Sequence, residues 1–395
     1  MSTSTDSSAD STDLLRRLRQ TPELLDAIAA CSEAERRSQK TLRDQFDSDL
    51  VRAALTLFDA RRRAADRLPA AEQLWLTPVG LEQSTAPPIA QHKAQRFADV
   101  GPVADLCCGI GIDAAALSLV TSVEAFDADP AMTLRCQWNS AVLGNPTQLQ
   151  THTADVSRLE WSGRFVHADP DRRSSGGRPT RRLELYQPAL EWMQQLTASA
   201  TGGAIKIGPA SNFQQKFPGT EIELISWRGE CREATVWFGA LAGEHSFRAT
   251  CLDTDESISA DPLSAWAEQA QEVSQWLLDP DPALVRSGLL DVLAERWQLQ
   301  RLDPEEEYLT AEQLPSTGFV TGFLVEAVLS ANPRDLRRYL SQRPASEYEI
   351  RCRRIPLDAE ALRRRLPQGD GPPAVIIACR IAGKSRLLVA RRPSA

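Results

Sequence analysis

VADLCCGIGIDAAALSLVTSVEAFDAD, residues 103–129, is the stretch that decides the fold of this chain. It opens with an apolar run that ends in Asp105 and a tight glycine turn, and small helix-forming residues follow from Asp113. A second apolar run closes on Asp127, about twenty residues after the glycines. Strand, glycine loop, helix and strand in this order predict the beginning of a doubly wound α/β sheet. In such a sheet the glycines let a ligand approach the backbone, and the acid after the second strand binds ribose hydroxyls.

The spacing of the glycines separates two classes of ligand. A dinucleotide fingerprint has three glycines, G-x-G-x-x-G, and seats pyrophosphate on the helix N-terminus. This chain has Asp105, Cys107, Gly109 and Gly111, so it lacks the third glycine and carries an acid before the loop. The acid would repel pyrophosphate but suits an ammonium group. A glycine turn in another kind of α/β sheet is the alternative.

The D-x-x-x-G-x-G pattern resembles motif I of the class I S-adenosylmethionine (SAM)-dependent methyltransferases. The resemblance implies that SAM is the cofactor and that Asp105 takes its ammonium group. It also implies that the loop containing Cys107, Gly109 and Gly111 lets the cofactor lie against the backbone.

Two further acids extend this resemblance along the chain. Asp127 follows the second strand and is expected to take the ribose hydroxyls of SAM. Asp155 closes a weak third strand, and the resemblance implies that it accepts a hydrogen bond from the adenine amino group. Without the resemblance, an isolated aspartate such as Asp155 would be interpreted as a turn residue.

The segment LTPVGLEQSTAPPIAQHKAQRF, residues 76–97, lies just before the first strand. It is similar to the S-V-T-P-E-x-I-A-x-H stretch of trimethylguanosine synthases. It is closer to the L-E-Q-A-T-P stretch of a bacterial group of methyltransferases that carry a THUMP-like C-terminal domain. In such enzymes the segment lies over the SAM pocket, so Gln83 and Thr85 are candidate cofactor-binding residues. An ordinary linker helix capped by Thr85 is the alternative.

The run Asp169-Pro170-Asp171-Arg172-Arg173 follows the fourth predicted strand, at the edge where a doubly wound sheet forms its ligand crevice. Amino-group methyltransferases carry [DNS]-P-P-[YFW] here: an acceptor and a carbonyl hold the target N–H groups, and an aromatic ring stacks on the base. The chain keeps the acid and the first proline but replaces the second proline and the aromatic residue. The related THUMP-like group has D-P-A-R-R, and arginine can stack on a base or bind phosphate. The resemblance implies four catalytic residues: Asp169, Pro170, Asp171 and Arg172.

Five arginines lie within residues 172–182, a polar and glycine-rich stretch beside the proposed crevice. A solvated loop and a loop that closes over an anionic substrate both agree with this composition. In the second alternative, Arg173 and Arg178 bind the substrate.

The pattern on either side of this region predicts the domain organisation. Residues 1–13 are polar and are expected to form a disordered tail, whereas leucines at helical spacing predict a helical accessory domain over 14–75. The SAM-dependent methyltransferase domain is expected to span 76–245. Residues 246–395 are expected to form an α+β domain.

Within the last domain, helices are expected over 268–278 and 283–296, followed by alternating strands and helices up to residue 390. Phrases such as LLDPDPALVRSGLL and EYLTAEQL resemble the THUMP-like domain of the same bacterial group. The expected fold is therefore α/β: a Rossmann-like class I methyltransferase sheet with an N-terminal helical domain and a C-terminal α+β THUMP-like domain.

Charge is distributed unevenly. Residues 331–395 contain 15 Lys and Arg against 6 Asp and Glu, a balance of +9, whereas the whole chain carries −8. Basic blocks on an otherwise acidic protein indicate a face that binds a polyanion. THUMP domains bind RNA, so the resemblance indicates the same partner. Arg351, Arg353 and Arg354 are candidate substrate-binding residues, and the alternative is that these arginines only solvate a small domain.

Several classes of protein are disfavoured by composition. The eight cysteines form no C-x-x-C pair and the four histidines have no metal-ligand spacing, so no metal is expected. The N-terminus has neither a basic start nor an apolar core, and no segment of about eighteen apolar residues occurs. We expect a cytoplasmic protein that has no membrane partner.

The resulting interpretation is a SAM-dependent methyltransferase that acts on a nucleic acid, with a structured RNA and an exocyclic base amine favoured. One alternative is methylation of a protein or a small metabolite. Another is an RNA-binding protein whose SAM site is vestigial.

Overall fold

The computed structural model describes residues 4–173 and 178–393, and for residues 4–10 it describes the backbone alone. These residues form two compact units. The first contains the chain up to residue 220 together with 235–243, and the second contains the remainder. The expected boundary at residue 245 is close to the last division point, but residues 221–234 already belong to the second unit.

The first unit begins with five helices, of which all but α3 bury apolar side chains. They are α1 (Ser4–Arg19), α2 (Pro22–Ala30), α3 (Glu33–Ser38), α4 (Lys40–Arg43) and α5 (Ser48–Ala64). Helix α1 buries Leu15 and Leu18 and packs on α5. It begins at Ser4, inside the stretch for which a disordered tail was predicted, and the two buried leucines in its second half anchor it to the core. Residues 1–3 of that predicted tail lie outside the described part.

The α/β part of the first unit follows the predicted order of elements. Its helices are α6 (Pro78–Gln83), α7 (Pro87–Gln95), α8 (Ile112–Ser118), α9 (Pro130–Leu143) and α10 (Leu190–Ser199). Its strands are β1 (Val103–Leu106), β2 (Val123–Asp127), β3 (Leu149–Thr153), β4 (Phe165–Ala168) and β5 (Gly202–Ile207). They are parallel in the order β3-β2-β1-β4-β5. The order reverses between β1 and β4, so the ligand crevice of this sheet is expected at their carboxyl ends.

The N-terminal helices share one apolar core with this sheet, so residues 14–75 are part of the same unit. Trp75 packs edge-on against Trp138 of α9, with ring centroids 4.9 Å apart. Asn139, fully buried, accepts from the N–H of Trp75 at 2.7 Å and donates to the carbonyl of Ile110 at 2.8 Å. Because Ile110 lies between the two motif I glycines, this amide fixes the glycine loop to the N-terminal region.

One predicted helix of this unit is shorter than expected. The sequence pattern predicts a helix over 183–198, but α10 begins at Leu190, and only a 3-10 turn forms over Leu183–Leu185. Pro188 explains the difference, because the residue before a proline is driven out of the helical region. Gln187 instead pairs with Asp171: each donates its N–H to the carbonyl of the other, at 3.0 and 2.8 Å.

The second unit contains the remaining strands and helices. The strands β6 (Glu221–Trp227), β8 (Phe247–Cys251) and β9 (Glu256–Ala260) lie in that spatial order, and β6 turns directly into β7 (Glu230–Gly239), whose last residues belong to the first unit. A seven-stranded sheet has the order β11-β12-β10-β13-β16-β15-β14. Its strands are β10 (Trp276–Pro280), β11 (Gln300–Arg301), β12 (Leu309–Ala311), β13 (Val320–Ser330), β14 (Tyr348–Cys352), β15 (Ala374–Ile381) and β16 (Lys384–Arg391). Its helices are α11 (Pro282–Ser287), α12 (Leu290–Trp297), α13 (Pro333–Ser341) and α14 (Ala359–Arg363).

The seven-stranded sheet is buried on both faces. Along β15, Ile377 and Cys379 join one apolar cluster, whereas Ile376 and Ala378 join the other together with Leu336 of α13. Strands that are covered on both faces appear in the sequence as continuous apolar runs. This explains why AVIIAC and RLLVA were recognisable as strands.

Two predictions for this unit are wrong. A helix was predicted over 268–278, but Trp276–Pro280 form the interior strand β10, which pairs with β12 and β13. A short buried apolar run does not distinguish a strand from a helix. A single helix was predicted over 283–296, but Gly288 adopts a left-handed conformation (φ +76°) and separates α11 from α12.

None of the helices in the described part is long and apolar enough to cross a membrane.

Candidate active site

A cavity of about 650 Å³ opens in the first unit at the carboxyl ends of β1, β2 and β4. The sheet topology places a ligand crevice at this edge. The cavity wall brings together eleven of the residues singled out in the sequence: Gln83, Thr85, Cys107, Gly109, Gly111, Asp127, Asp155, Asp169, Pro170, Asp171 and Arg172.

The glycine loop shapes the floor of the cavity. Gly109 has φ +54°, and a Cβ added to it would have no atom within 4 Å, so this backbone faces open space. Gly111 has φ +84°, and its added Cβ would come within 2.8 Å of the Cα of Cys136 on α9. The first glycine therefore leaves room for a ligand, whereas the second allows two helices to approach closely. Burial raises the pKa of the Cys107 thiol well above its usual range, so this residue is a neutral part of the wall.

Asp127 is held at the end of β2 by backbone groups. Its Oδ2 accepts from the N–H of Gly109 at 2.9 Å, and its Oδ1 accepts from the N–H of Asp129 at 2.9 Å. Burial raises the pKa of Asp127, and these two amides oppose the rise. The carboxylate keeps lone pairs for further donors, as a pair of ribose hydroxyls would require.

Asp155 occupies the outer part of the cavity. Its Oδ1 accepts from the hydroxyl of Ser157 at 2.6 Å, and Arg158 lies 3.0 Å from Oδ2. The Ser157 hydroxyl is the largest of several influences that lower the pKa of Asp155, so it is a carboxylate at neutral pH. Its proposed contact with adenine stays a prediction.

Asp105 lies beneath the loop, fully buried, and is not part of the cavity wall. Its Oδ1 is 2.6 Å from Nδ1 of His167 on the neighbouring strand β4, and among the described residues its Oδ2 has no hydrogen-bond partner. Burial raises the pKa of Asp105, and His167 opposes the rise. The predicted contact with the cofactor ammonium stays a prediction.

A buried polar network that the sequence did not indicate connects α7 with α8. Lys93 contacts Asp113 at 2.9 Å and His167 at 3.3 Å, and the hydroxyl of Thr85 donates to Asp113 at 2.5 Å. Burial raises the pKa of Asp113, but Lys93 and His167 outweigh it and hold the pKa well below its usual range. Thr85 therefore fixes the segment before β1 to the first turn of α8. It does not cap α7, whose N-cap is Ala86.

Asp169 is paired with a lysine that the sequence analysis did not single out. Lys206 of β5, almost fully buried, lies 2.6 Å from Asp169 Oδ2 and donates to the carbonyl of Gln83 at 2.9 Å. Asp169 therefore presents a fixed, neutralised carboxylate to the cavity. The signal in the sequence was weak, because a lysine inside an apolar strand gives no indication of its partner.

Asp171 and Arg173 hold neighbouring loops together. Asp171 Oδ1 accepts from the side-chain amide of Gln83 at 2.6 Å, and Arg173 contacts Glu82 at 2.8 Å. Both contacts join the segment before β1 to the turn after β4. Arg178 does not line the cavity, and residues 174–177 of the predicted arginine-rich loop lie outside the described part.

The wall also includes an aromatic residue from α10. Trp192, half-buried, lines the cavity together with Pro188 and Pro170. The sequence motif lacks an aromatic residue after its proline, and the structure supplies one from another element. The distance of twenty residues in sequence hid this residue from motif analysis.

The three arginines predicted to contact RNA are engaged within the second unit. Arg353 contacts Asp279 at 2.6 Å and Glu307 at 2.6 Å, and Arg354 contacts Glu307 at 2.5 Å. Arg351 contacts Asp279 at 2.5 Å. Burial alone would lower the pKa of Arg353. The carboxylates of Asp279 and Glu307 have the larger combined effect and raise it. These contacts neutralise the basic block, because the end of β14 and the residues that follow it lie against Asp279 of β10 and Glu307 of the loop before β12.

The cavity fits an aminoacyl nucleoside cofactor. Gly109 leaves open space beside its backbone, and Asp127 offers a carboxylate at the second strand, as the ribose of such a cofactor requires. Within residues 4–173 and 178–393, no three His, Cys, Asp or Glu side chains are arranged to hold a metal ion. The strand order and this site define the class I SAM-dependent methyltransferases.

Comparisons with known proteins lead to the same class. Uncharacterised SAM-dependent methyltransferases from two strains of Mycobacterium tuberculosis, CDC 1551 and H37Rv, are 36% identical over 332 residues, or 80% of this chain and 89% of theirs. A crystal structure of a candidate methyltransferase from Porphyromonas gingivalis W83 is 18% identical, with a TM-score of 0.74 over 98% of this chain and 99% of its own. Residues 320–392 match the THUMP domain-like family. The chain belongs to the SAM-dependent methyltransferases, SAM is its cofactor, and its C-terminal region carries a THUMP-like domain.

Proposed function

We propose that this methyltransferase modifies RNA, with an exocyclic base amine as the favoured acceptor. One observation carries the proposal: Asp169, fixed by Lys206, lines the same cavity as the ring of Trp192. A carboxylate accepts hydrogen bonds from an amine, and an aromatic ring offers a stacking surface to a base. The cavity therefore has both elements that amine recognition on a planar ring requires.

The residues of this site act by positioning. SAM supplies a methyl group that its sulfonium charge already activates, so no strong base is needed. Asp169 accepts from the amine, orients its lone pair and tolerates the positive charge that develops on it. Lys206 holds the carboxylate in one place, and the carbonyl of Gln83 holds Lys206. Holding two reactants in line contributes several kcal/mol to rate acceleration, about 7 to 11 in favourable cases.

The C-terminal region supports RNA as the partner. It matches the THUMP domain-like family, and residues 331–395 carry a balance of +9. Arg351, Arg353 and Arg354 have carboxylate partners, and so do Arg338 and Arg363, which contact Asp335 and Glu360. Among the described residues, the exposed arginines of α13, α14 and the turn after α14 that have no acidic partner are better placed to bind a polyanion: Arg334, Arg337, Arg364 and Arg365.

Transfer of radiolabelled methyl groups from SAM to fractions of RNA, protein and small molecules tests the proposal. We expect label in the RNA fraction. Mass spectrometry of nucleosides from a deletion strain and its parent should then reveal one base that has lost a methyl group. Label in protein or metabolite alone would contradict the proposal, and SAM binding without any transfer would indicate a vestigial site.

A further inference from the structure

A small depression of about 220 Å³ adjoins the cavity in the first unit. Gln83 and Arg172 line both spaces, so a ligand in the cavity can extend into the depression. Arg172 and Arg181 are two basic residues of its wall, and the turn after β5 forms its floor.

The two arginines differ from their neighbours in how their charge is balanced. Arg173, which also lines the depression, contacts Glu82 at 2.8 Å. Among the described residues, neither Arg172 nor Arg181 has an acidic group within ion-pair distance. The backbone carbonyls of both are bonded, to the N–H groups of Thr180 and Asn212, so their positions in the loop are fixed while their guanidinium groups keep donors for a ligand.

The floor of the depression holds buried hydroxyls. Tyr186, 2% exposed, and Ser211, 9% exposed, share a hydrogen bond of 2.7 Å, and Tyr186 Oη also accepts from the N–H of Gly208 at 3.3 Å. Two hydroxyl groups have two protons, and their mutual bond uses one of them. The other has no acceptor among the described residues, so the floor offers one donor.

Gly208 keeps this floor open to Arg172. A Cβ added to Gly208 would lie 3.0 Å from Ser211 Oγ, 3.3 Å from Tyr186 Oη and 3.5 Å from a terminal nitrogen of Arg172. The three groups therefore surround the same small space above the glycine. Guanidinium and hydroxyl donors around one space are suited to a phosphate, which offers several acceptor oxygens.

We propose that this depression binds the phosphate that flanks the target base, with Arg172 and Arg181 as its charged ligands. The proposal rests on the proposed function, because a flanking phosphate requires a nucleic-acid acceptor. It assigns to Arg172 a phosphate contact in place of the base-stacking role of the aromatic residue, and Trp192 is then the ring beside the base.

Binding without turnover tests this subsite. The protein is saturated with S-adenosylhomocysteine, and the four ribonucleosides and their 3′- and 5′-monophosphates are titrated by calorimetry. We expect at least one monophosphate to bind about tenfold more tightly than its nucleoside, because charge-assisted hydrogen bonds exceed neutral ones. Arg172→Gln and Arg181→Gln should each reduce this ratio towards one, and a thermal midpoint close to that of the parent shows that each variant is folded.

Arg182→Gln is the matched control, because Arg182 is adjacent in sequence, 71% exposed, and does not line the depression. It should retain the preference for phosphate. The subsite is refuted if monophosphates and nucleosides bind equally, including no detectable binding of either, or if Arg182→Gln loses the preference as Arg172→Gln does. Inorganic phosphate that binds as tightly as the nucleotides would indicate a simple anion site and also overturn the proposal.

The outcome is separable from that of the proposed function. If the protein prefers monophosphates but transfers no methyl group to RNA, the subsite is retained and RNA is rejected as the methyl acceptor. Methyl transfer to RNA without phosphate preference would reject the subsite alone.

Discussion

Asp127 provides the most direct test of the cofactor site, because its carboxylate is fixed by two backbone amides and lines the cavity. Asp127→Ala removes the acceptor of the ribose hydroxyls. A hydrogen bond to a charged group contributes about 1.5 to 3 kcal/mol, so the SAM dissociation constant should rise about 10- to 150-fold. Isothermal titration calorimetry with SAM measures this change.

The same residue predicts a pH dependence. Burial raises the pKa of Asp127, and only the ionised carboxylate accepts from both hydroxyls. SAM affinity should therefore fall as the pH decreases through this raised pKa, at a higher pH than an ordinary aspartate would give. Below the pKa, the dissociation constant should rise about tenfold per pH unit, because one proton competes with the ligand.

Ionisation of Asp127 favours SAM binding but disfavours folding. A raised pKa means that the folded protein holds the proton more tightly than the unfolded chain does. Ionised Asp127 therefore makes folding less favourable above its folded pKa, and protonating it does not unfold the protein. Asp127→Asn is the control: it should lose this pH dependence, and its thermal midpoint should fall, because an amide can accept from only one of the two backbone N–H groups that the carboxylate holds. Unchanged SAM affinity in Asp127→Ala would refute the assignment of the ribose site and the reasoning from strand order.

The other predictions concern the acceptor, the loop and the RNA surface. Asp169→Ala should abolish methyl transfer while calorimetry shows SAM affinity within a few-fold of the parent; persisting transfer would exclude its role in holding the amine. Gly111→Ala should lower the free energy of unfolding by about 1 to 3 kcal/mol in denaturant titrations, because a positive φ and a close approach to Cys136 both oppose a side chain; an unchanged midpoint would contradict this. Arg337→Ala and Arg364→Ala together should flatten the slope of log RNA affinity against log salt by up to about two units, whereas Arg353→Ala should mainly lower the thermal midpoint. A larger loss of salt dependence in Arg353→Ala would instead restore Arg353 as an RNA contact.

The sequence was sufficient to predict the catalytic fold because its signals are local. Short-range spacing defines motif I, the acid after β2 and the strand boundaries. The glycine loop also leaves the backbone little conformational choice. The C-terminal strands β13 to β16 were predictable for the same reason. Prediction failed at β10, because WLLDP is an apolar run too short to show a period, and its strand conformation depends on pairing with β12 and β13.

The site residues that the sequence missed are defined by contacts across long stretches of chain. Lys206 of β5 contacts Asp169, which follows β4. Trp192 lines the cavity from α10, which begins after Pro188. Conversely, the sequence shows that Arg353 lies in a basic block, and this favoured a role in polyanion binding. The sequence does not show that the side chain pairs with Asp279. Charge counts therefore identified a basic region correctly but could not show which of its arginines are neutralised.

Asn139 has a consequence for how the polypeptide can be divided. A protein that began at residue 76 would retain every cavity-lining residue, yet the amide that steadies Ile110 would lose its bonds to Trp75, and the apolar face of α9 would be exposed to water. The first 75 residues are therefore not a separable domain: they complete the apolar core of the catalytic unit, and a chain without them should expose that core and hold Ile110 less firmly.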